Sequence, residues 1–228
     1  MIESLRRAGW WIADYAYAVV WQARAFANRT DPAGFEDGVL APILIIPGVY
    51  ESWKFLQPLA VALHDRGHPV HVVAPLRHNR RPVATGAALV ADHLIHHDLR
   101  DVVVVAHSKG GLIGKHVMAI GSAGERIRGM VAVAAPFGGS RYAQLMVIPT
   151  LRVLSPRDAT IVGLARETAV NARIVSLYGR FDPHIPGGSA LAGAHNVVLE
   201  TGGHFRILAH PRVIAEVAAM AEGRRAVP

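Results

Sequence analysis

The chain has no cysteine among its 228 residues. That excludes a disulfide framework, a thiol nucleophile and every cysteine-ligated metal or cluster. Charge is also scarce: charged residues make up 18% and aromatics 7%, against 51% hydrophobic residues. Such a chain is too apolar to be disordered, and it is long enough to bury the core of one domain with at most a small appendage. Two phosphate-binding patterns are absent as well. No GxGxxG follows a strand-like run and no GxxxxGK[ST] occurs, which demotes nucleotide binding. Acids are the minority charge, 17 against 24 Lys and Arg, for a net +7. That excess suits anionic surfaces and says nothing about fold.

No apolar run reaches the roughly 20 uninterrupted residues of a membrane span. The nearest candidate, Ala8 to Trp21, follows Arg6 and Arg7, is interrupted by Asp14, and is closed by Gln22 and Arg24. Trp10, Asp14, Tyr17 and Trp21 fall at i, i+4, i+7 and i+11, one face of a helix. Residues 1–31 are therefore expected to form an amphipathic helical segment docked on the main domain, residues 32–228, with peripheral membrane contact as the alternative. Ala25-Phe26-Ala27 resembles a cleavage site, which keeps export as a minor option beside a cytoplasmic or membrane-peripheral location.

Beyond Pro32 strand-like and helix-like stretches alternate. Val39–Ile46, Pro69–Ala74, Asp101–Ala106, Gly129–Ala134, Arg173–Tyr178 and His195–Leu199 read as short buried strands. Helical patterns follow at 55–63, Pro82–Leu99, Lys109–Gly121 and His204–Ala221, and Arg224-Arg225 end a frayed tail. Six β-branched runs separated by helices predict an α/β protein, a doubly wound, mostly parallel sheet of about six strands with helices on both faces.

Such sheets carry their chemistry at the carboxyl ends of the strands. After the third strand stands Ala106-His107-Ser108-Lys109-Gly110-Gly111, running straight into a helix. This is a strand–turn–helix elbow with serine at its tip, and the positions two before and two after that serine must be small. Ala106 and Gly110 meet the demand. With AHSKGGL at this elbow, IIPGVYESW after the first strand and AAPFGGS after the fourth, the chain resembles the α/β-hydrolase family, in particular its lipase and esterase branch, over roughly residues 39 to 221. Ala106 replaces the commoner glycine, and Pro47 stands where many lipases have histidine.

The resemblance implies a nucleophile, acid and histidine in that chain order, and Ser108, Asp182 and His204 supply it. Asp182 follows the Arg173–Tyr178 run and His204 the His195–Leu199 run, so both loops belong on the elbow's edge of the sheet. Asp158 is the second candidate acid, in a context that reads as a helix start. The family's oxyanion donors map to the main-chain N–H groups of Lys109 and Val49, with Tyr50 as the alternative for a loop shifted by one residue; Gly48 supplies the close approach or positive φ that loop needs. The Lys109 side chain is expected in solvent. Tyr50, His107, Phe137, Leu145 and Met146 are expected to touch substrate, and residues 140–171 to form a short cap or lid.

Two further clusters are assigned no chemistry. His93 and His97 sit one helical turn apart without a third ligand nearby, which reads as a wet helix end, so no metal and no cofactor is expected. Arg77, His78, Asn79, Arg80 and Arg81 form a basic loop without interleaved aromatics, so no nucleic-acid partner is expected; an anionic substrate or membrane surface is the alternative. The reading is a serine hydrolase of carboxylic esters acting on a small-molecule acyl ester or lipid. The rivals are an acyltransferase, thioesterase or amidase using the same residues, or a non-catalytic binding protein on the same fold. Composition leaves the oligomeric state open.

Overall fold

Runs of Val and Ile that are apolar on both faces can be buried only when strands lie side by side between two layers of helices. In the computed structural model, which describes residues 2–224, six such runs form one sheet. They are β1 (Ile43–Ile46), β2 (Val70–Val72), β3 (Val102–His107), β4 (Ile127–Val133), β5 (Ile174–Phe181) and β6 (His195–Gly202). Every pairing is parallel and the order is β2-β1-β3-β4-β5-β6. The expected frayed tail from Arg225 lies outside the described residues.

The helices are α1 (Ile2–Ala27), α2 (Gln57–His64), α3 (Val83–His96), α4 (Lys109–Ala119), α5 (Pro149–Arg152), α6 (Ala159–Arg166) and α7 (Pro211–Ala221). The two-residue period of the strands divides the core in two. Leu44, Ile46, Val104, Ala106 and Met130 face one layer, with Val90 and Leu94 of α3, Leu112 and Ile113 of α4 and Ile161 of α6. Ile43, Ile45, Val103, Val105 and Val131 face the other, with Leu59 and Leu63 of α2 and Val213 and Val217 of α7. Tyr17 and Trp21 of α1 pack on this second layer, Tyr17 edge-on to Phe55 at 6.2 Å.

Some boundaries differ from the sequence pattern, for identifiable reasons. The first strand begins at Ile43 rather than Val39: Pro42 has no N–H for the ladder, and Val39 and Leu40 instead bond to the Gly67 carbonyl with their side chains exposed. The last helical stretch is broken in two. Pro211 pushes His210 to an extended conformation (φ −71°, ψ 130°), so a short 3₁₀ turn at Arg206–Ala209 ends and α7 starts afresh. Between β4 and β5 the chain forms a 3₁₀ turn at Arg141–Leu145, then α5 and α6. Asp158 caps α6 by accepting the Thr160 N–H at 2.9 Å.

Candidate active site

β3 ends at His107 and α4 begins at Lys109, so Ser108 alone makes the turn between them. Its φ of 51° and ψ of −122° lie outside the regions open to most L-residues, a strain of about 1–3 kcal/mol. Packing holds it there. A Cβ on Gly110 would overlap the Ile46 carbonyl oxygen, and one on Gly111 would overlap the Ala135 methyl, so only glycines let α4 cross β1 and β4 this closely.

The carboxyl ends of β3, β5 and β6, all on one edge of the sheet, bring three distant residues together. Ser108 Oγ lies 3.0 Å from His204 Nε2, and His204 Nδ1 lies 2.8 Å from Asp182 Oδ2. The other Asp182 oxygen accepts the backbone N–H groups of His184 (2.7 Å) and Ile185 (3.0 Å), which fixes the carboxylate. All three residues are buried. Burial by itself would lower the His204 pKa; the charge and hydrogen bond of Asp182, with the charges of Glu51 and Asp14 behind them, outweigh it and raise the pKa above the ordinary value. Burial would likewise raise Asp182, but His204 and the two backbone donors hold its carboxyl below the usual range.

A second set of contacts braces these loops. Asp14, fully buried on the inner face of α1, accepts the backbone N–H of His204 (2.9 Å) through one oxygen, and those of Phe205 and Arg206 (2.8 Å each) through the other. Glu51 Oε2 accepts the Gly48 N–H at 2.7 Å and the His107 Nδ1–H at 2.8 Å, while His107 Nε2 lies 3.0 Å from the His204 carbonyl. Glu51 and His107 therefore connect the loop after β1 to the loop after β6. Sequence reasoning saw Asp14 only as a helix-face residue and did not single out Glu51. A lone carboxylate at either place had no neighbouring signal of its partner.

A cleft of about 580 Å³ opens above Ser108, within the size usual for small-molecule sites. Tyr15, Ala18, Val19 and Gln22 of α1 form one wall, and Met146, Leu151 and Leu154 of the segment before β5 form part of another. His184 also lines it, its ring tilted 37° to the His204 ring at 4.7 Å and bonded to the Tyr15 hydroxyl at 3.1 Å. Burial, then the neighbouring His204 charge, pushes its pKa down to about 4, so it stays neutral near pH 7. The sequence pattern does not mark His184; its place two residues after Asp182 is the available signal.

Several sequence expectations are corrected. Tyr50 and Met146 line the cleft, but His107, Phe137 and Leu145 do not. His107 is consumed by its bonds to Glu51 and His204, Phe137 is buried in the core beside Lys115, and Leu145 points away at 83% exposure. The Lys109 side chain is not solvated. It is 0% exposed, with Nζ bonded to the carbonyls of Asn79 (2.9 Å) and Arg81, and desolvation lowers its pKa to about 8. In the loop after β1 the positive φ falls on Tyr50 (63°), while Gly48 is required because a Cβ there would sit 3.1 Å from Ser108 Cβ. The Tyr50 N–H donates to the His78 carbonyl at 2.8 Å and the Gly48 N–H is held by Glu51. Among the described residues, the N–H groups of Val49 and Lys109 take no such partner. The basic loop is therefore a buttress here: His78 holds Tyr50, and Asn79 Nδ2 donates to the Pro47 carbonyl at 2.7 Å.

Among the described residues no group of three or more His, Cys, Asp or Glu is placed to hold a metal ion. The His93 ring of α3 and the ring of His97, which caps that helix, lie 4.3 Å apart, and burial together with the neighbouring histidines lowers His93 to about 4.

An all-parallel sheet of this order, with a strained serine elbow at the centre of its carboxyl edge, is the α/β-hydrolase fold. No family model and no curated protein matches the chain. Among solved structures it is similar to the mature form of the Bacillus licheniformis lipase BlEst2, at 16% identity and a TM-score of 0.65, over 82% of this chain and 96% of that one. Against the propeptide form of that lipase the match covers 52% of the longer chain. A monoacylglycerol lipase from Paleococcus ferrophilus is similar at 13% identity and a TM-score of 0.60, over 80% of this chain and 96% of that one. An enol-lactonase from Burkholderia xenovorans LB400 is similar at 12% identity and a TM-score of 0.52, over 81% and 91%. At these identities the likeness is one of fold.

Proposed function

We propose that the protein is a serine hydrolase that cleaves carboxylic esters of apolar acyl groups through an acyl-enzyme. The observation that carries this reading is the continuous hydrogen-bond chain from Ser108 through His204 to Asp182 at the floor of the cleft. Ser108 Oγ attacks the ester carbonyl carbon while His204 Nε2 takes its proton; Asp182 keeps the other ring nitrogen protonated and stabilises the imidazolium. The N–H groups of Val49 and Lys109 are the donors for the oxyanion. His204 then returns the proton to the departing alcohol. A water, deprotonated by the same ring, attacks the acyl carbon and frees Ser108 as the acid leaves. The acyl chain lies against Ala18, Val19, Met146, Leu151 and Leu154, a wall that favours medium and long chains over acetyl. The lipases among the similar structures are in keeping with this substrate class.

The test is hydrolysis of p-nitrophenyl esters from acetyl to palmitoyl by wild type and Ser108→Ala. Activity that rises with chain length and disappears in the variant is expected. Equal activity in both proteins would overturn the nucleophile, and a strict preference for acetyl would overturn the apolar acyl site. A folded wild type inert on every ester would move the reading to a transferase, an amidase or a binding protein.

A further inference from the structure

α1 is amphipathic in an unusual sense: its polar anchor faces inward and its outer face is bare of polar side chains. Asp14, Trp10 and Trp21 point to the domain. On the opposite side Leu5, Ile12, Val19 and Phe26 recur every seven residues, with Ala8, Gly9, Ala16 and Ala23 between them. Leu5 is 68% exposed, Ile12 63%, Val19 68% and Phe26 95%. The stripe runs the length of a 26-residue helix, about 39 Å at the α-helical rise. Apolar surface of that extent, open to water, marks an interaction site.

Two further observations say what covers it. First, the stripe borders the mouth of the cleft. Val19 belongs to both the stripe and the cleft wall, and from the segment before β5 Met146 lines the cleft beside the exposed Leu145 and Val147. A protein seated on these two elements would close the mouth. A lipid surface seated there would instead present esters to it. Second, the charge beside these elements is mainly positive. On and just after α1 the exposed charged residues are Arg6, Arg7, Arg24 and Arg29 against Glu3, which pairs with Arg6 and Arg7, and Asp31; between Gly138 and Arg157 they are Arg141, Arg152 and Arg157, with no exposed acid. The Arg6 and Arg24 guanidinium groups each lie 4.7 Å over a tryptophan, Trp10 and Trp21, along the same border of the helix.

We infer that α1 and the 145–148 segment dock the protein on an anionic lipid bilayer, with α1 in the interfacial plane and the cleft mouth against the surface. No described helix is long and apolar enough to cross a membrane, so the contact is peripheral. Asp14 keeps α1 on the domain while its outer face enters the lipid. What the docking serves rests on the ester-hydrolase reading; the docking itself is measured without turnover.

The experiment is co-sedimentation of the full chain carrying Ser108→Ala with vesicles of phosphatidylcholine alone, or with about one part in four phosphatidylglycerol. Comparison is with the same chain carrying Ile12→Glu and Phe26→Glu, neither of which lines the cleft. The parent is expected to bind the anionic vesicles and to release them as salt is raised toward about 0.5 M. The doubly charged variant is expected to bind at least about tenfold more weakly. In the Ser108 background its p-nitrophenyl acetate rate and melting temperature should stay at the parent values. If the glutamates unfold the chain, Leu5→Gln with Phe26→Gln replaces them under the same readout. Absence of binding to anionic vesicles, or equal binding by the variants, overturns the inference. So does a concentration-dependent dimer that the same substitutions abolish without vesicle binding, which would give the stripe to a second copy of the chain. Vesicle binding by a wild type inert on every ester would overturn the hydrolase reading and leave the docking standing.

Discussion

The proton balance of His204 is the residue-scale quantity with the clearest consequence. In the proposed mechanism the ring must be neutral to accept the Ser108 proton, so the rate rises with pH as the ring loses its own. Asp182 and the charges behind it place that loss above the ordinary histidine value. The acid limb of kcat/KM is therefore expected above about pH 6.5. Asp182→Asn removes the largest opposing charge and leaves burial to dominate, which moves the limb downward. The same change presents the wrong tautomer, with an expected loss of about 10⁴ in kcat. A limb at the same pH in both proteins, from a pH–rate profile, would mean that Asp182 is not the group coupled to the base. Lys109 shows how little of this a residue type announces. A lysine at the first position of α4 suggests a solvated charge, yet here the packing of the basic loop encloses it between two carbonyls.

Among the elements, α1 stands out because the geometry of a loop 190 residues away depends on it. The turn after β6 carries three consecutive backbone N–H groups that no strand or helix can satisfy, and the Asp14 carboxylate takes all three. Asp14→Ala would leave these buried donors unpaired at a cost of about 3 kcal/mol or more, and would free the His204 loop to move relative to Ser108. The expected result is a lower melting temperature together with a kcat reduced by at least about tenfold at nearly constant KM, since positioning affects chemistry more than binding. Asp14→Asn should recover part of the stability, because its amide oxygen can still serve Phe205 and Arg206, but less of the kcat, because its NH₂ then opposes the His204 N–H. Stability loss without a change in kcat would make the contact structural only. The elbow is the opposite kind of element. Its small residues, strand before and helix after are adjacent in the chain, and they made Ser108 legible from sequence.

For the molecule as a whole, the partly buried histidines contribute to the response to acid. His93 and His184 are held to about 4 and His71 and His116 are also lowered, chiefly by burial. Unfolding returns each to about 6.5, so between those values the unfolded chain binds more protons than the folded one. Stability present above about pH 6.5 is lost progressively as pH falls toward 4. His204, raised rather than lowered, works the other way: its contribution is complete below about pH 6.5 and disappears as pH rises through its folded value, offsetting part of the trend. Asp182, held low, adds a loss only below the ordinary carboxylate range. The melting temperature is expected to fall steadily from pH 6.5 to 4, and His93→Gln, remote from the cleft, to flatten part of that slope. An identical slope in wild type and variant would remove His93 from this account.

Local chemistry determined what could be read without the structure. The β-branched runs, their two-residue alternation and the helical stretches between them specify a parallel sheet, because burying such strands on both faces leaves few other arrangements. The small residues around Ser108, and the loops just past the fifth and sixth strands, made Ser108, Asp182 and His204 legible as candidates, because strand ends on one edge of a parallel sheet must meet. The destinations of single side chains were decided only by tertiary packing. His107 turns inward to Glu51 and Phe137 into the core, Leu145 turns to solvent, Tyr50 rather than Gly48 takes the positive φ, and Asp14 reaches the His204 loop. A hydrophobic period records which face of an element is buried. It does not record which distant donors are left unpaired there, and those unpaired backbone groups are what draw a carboxylate from the first helix to a turn near the end of the chain.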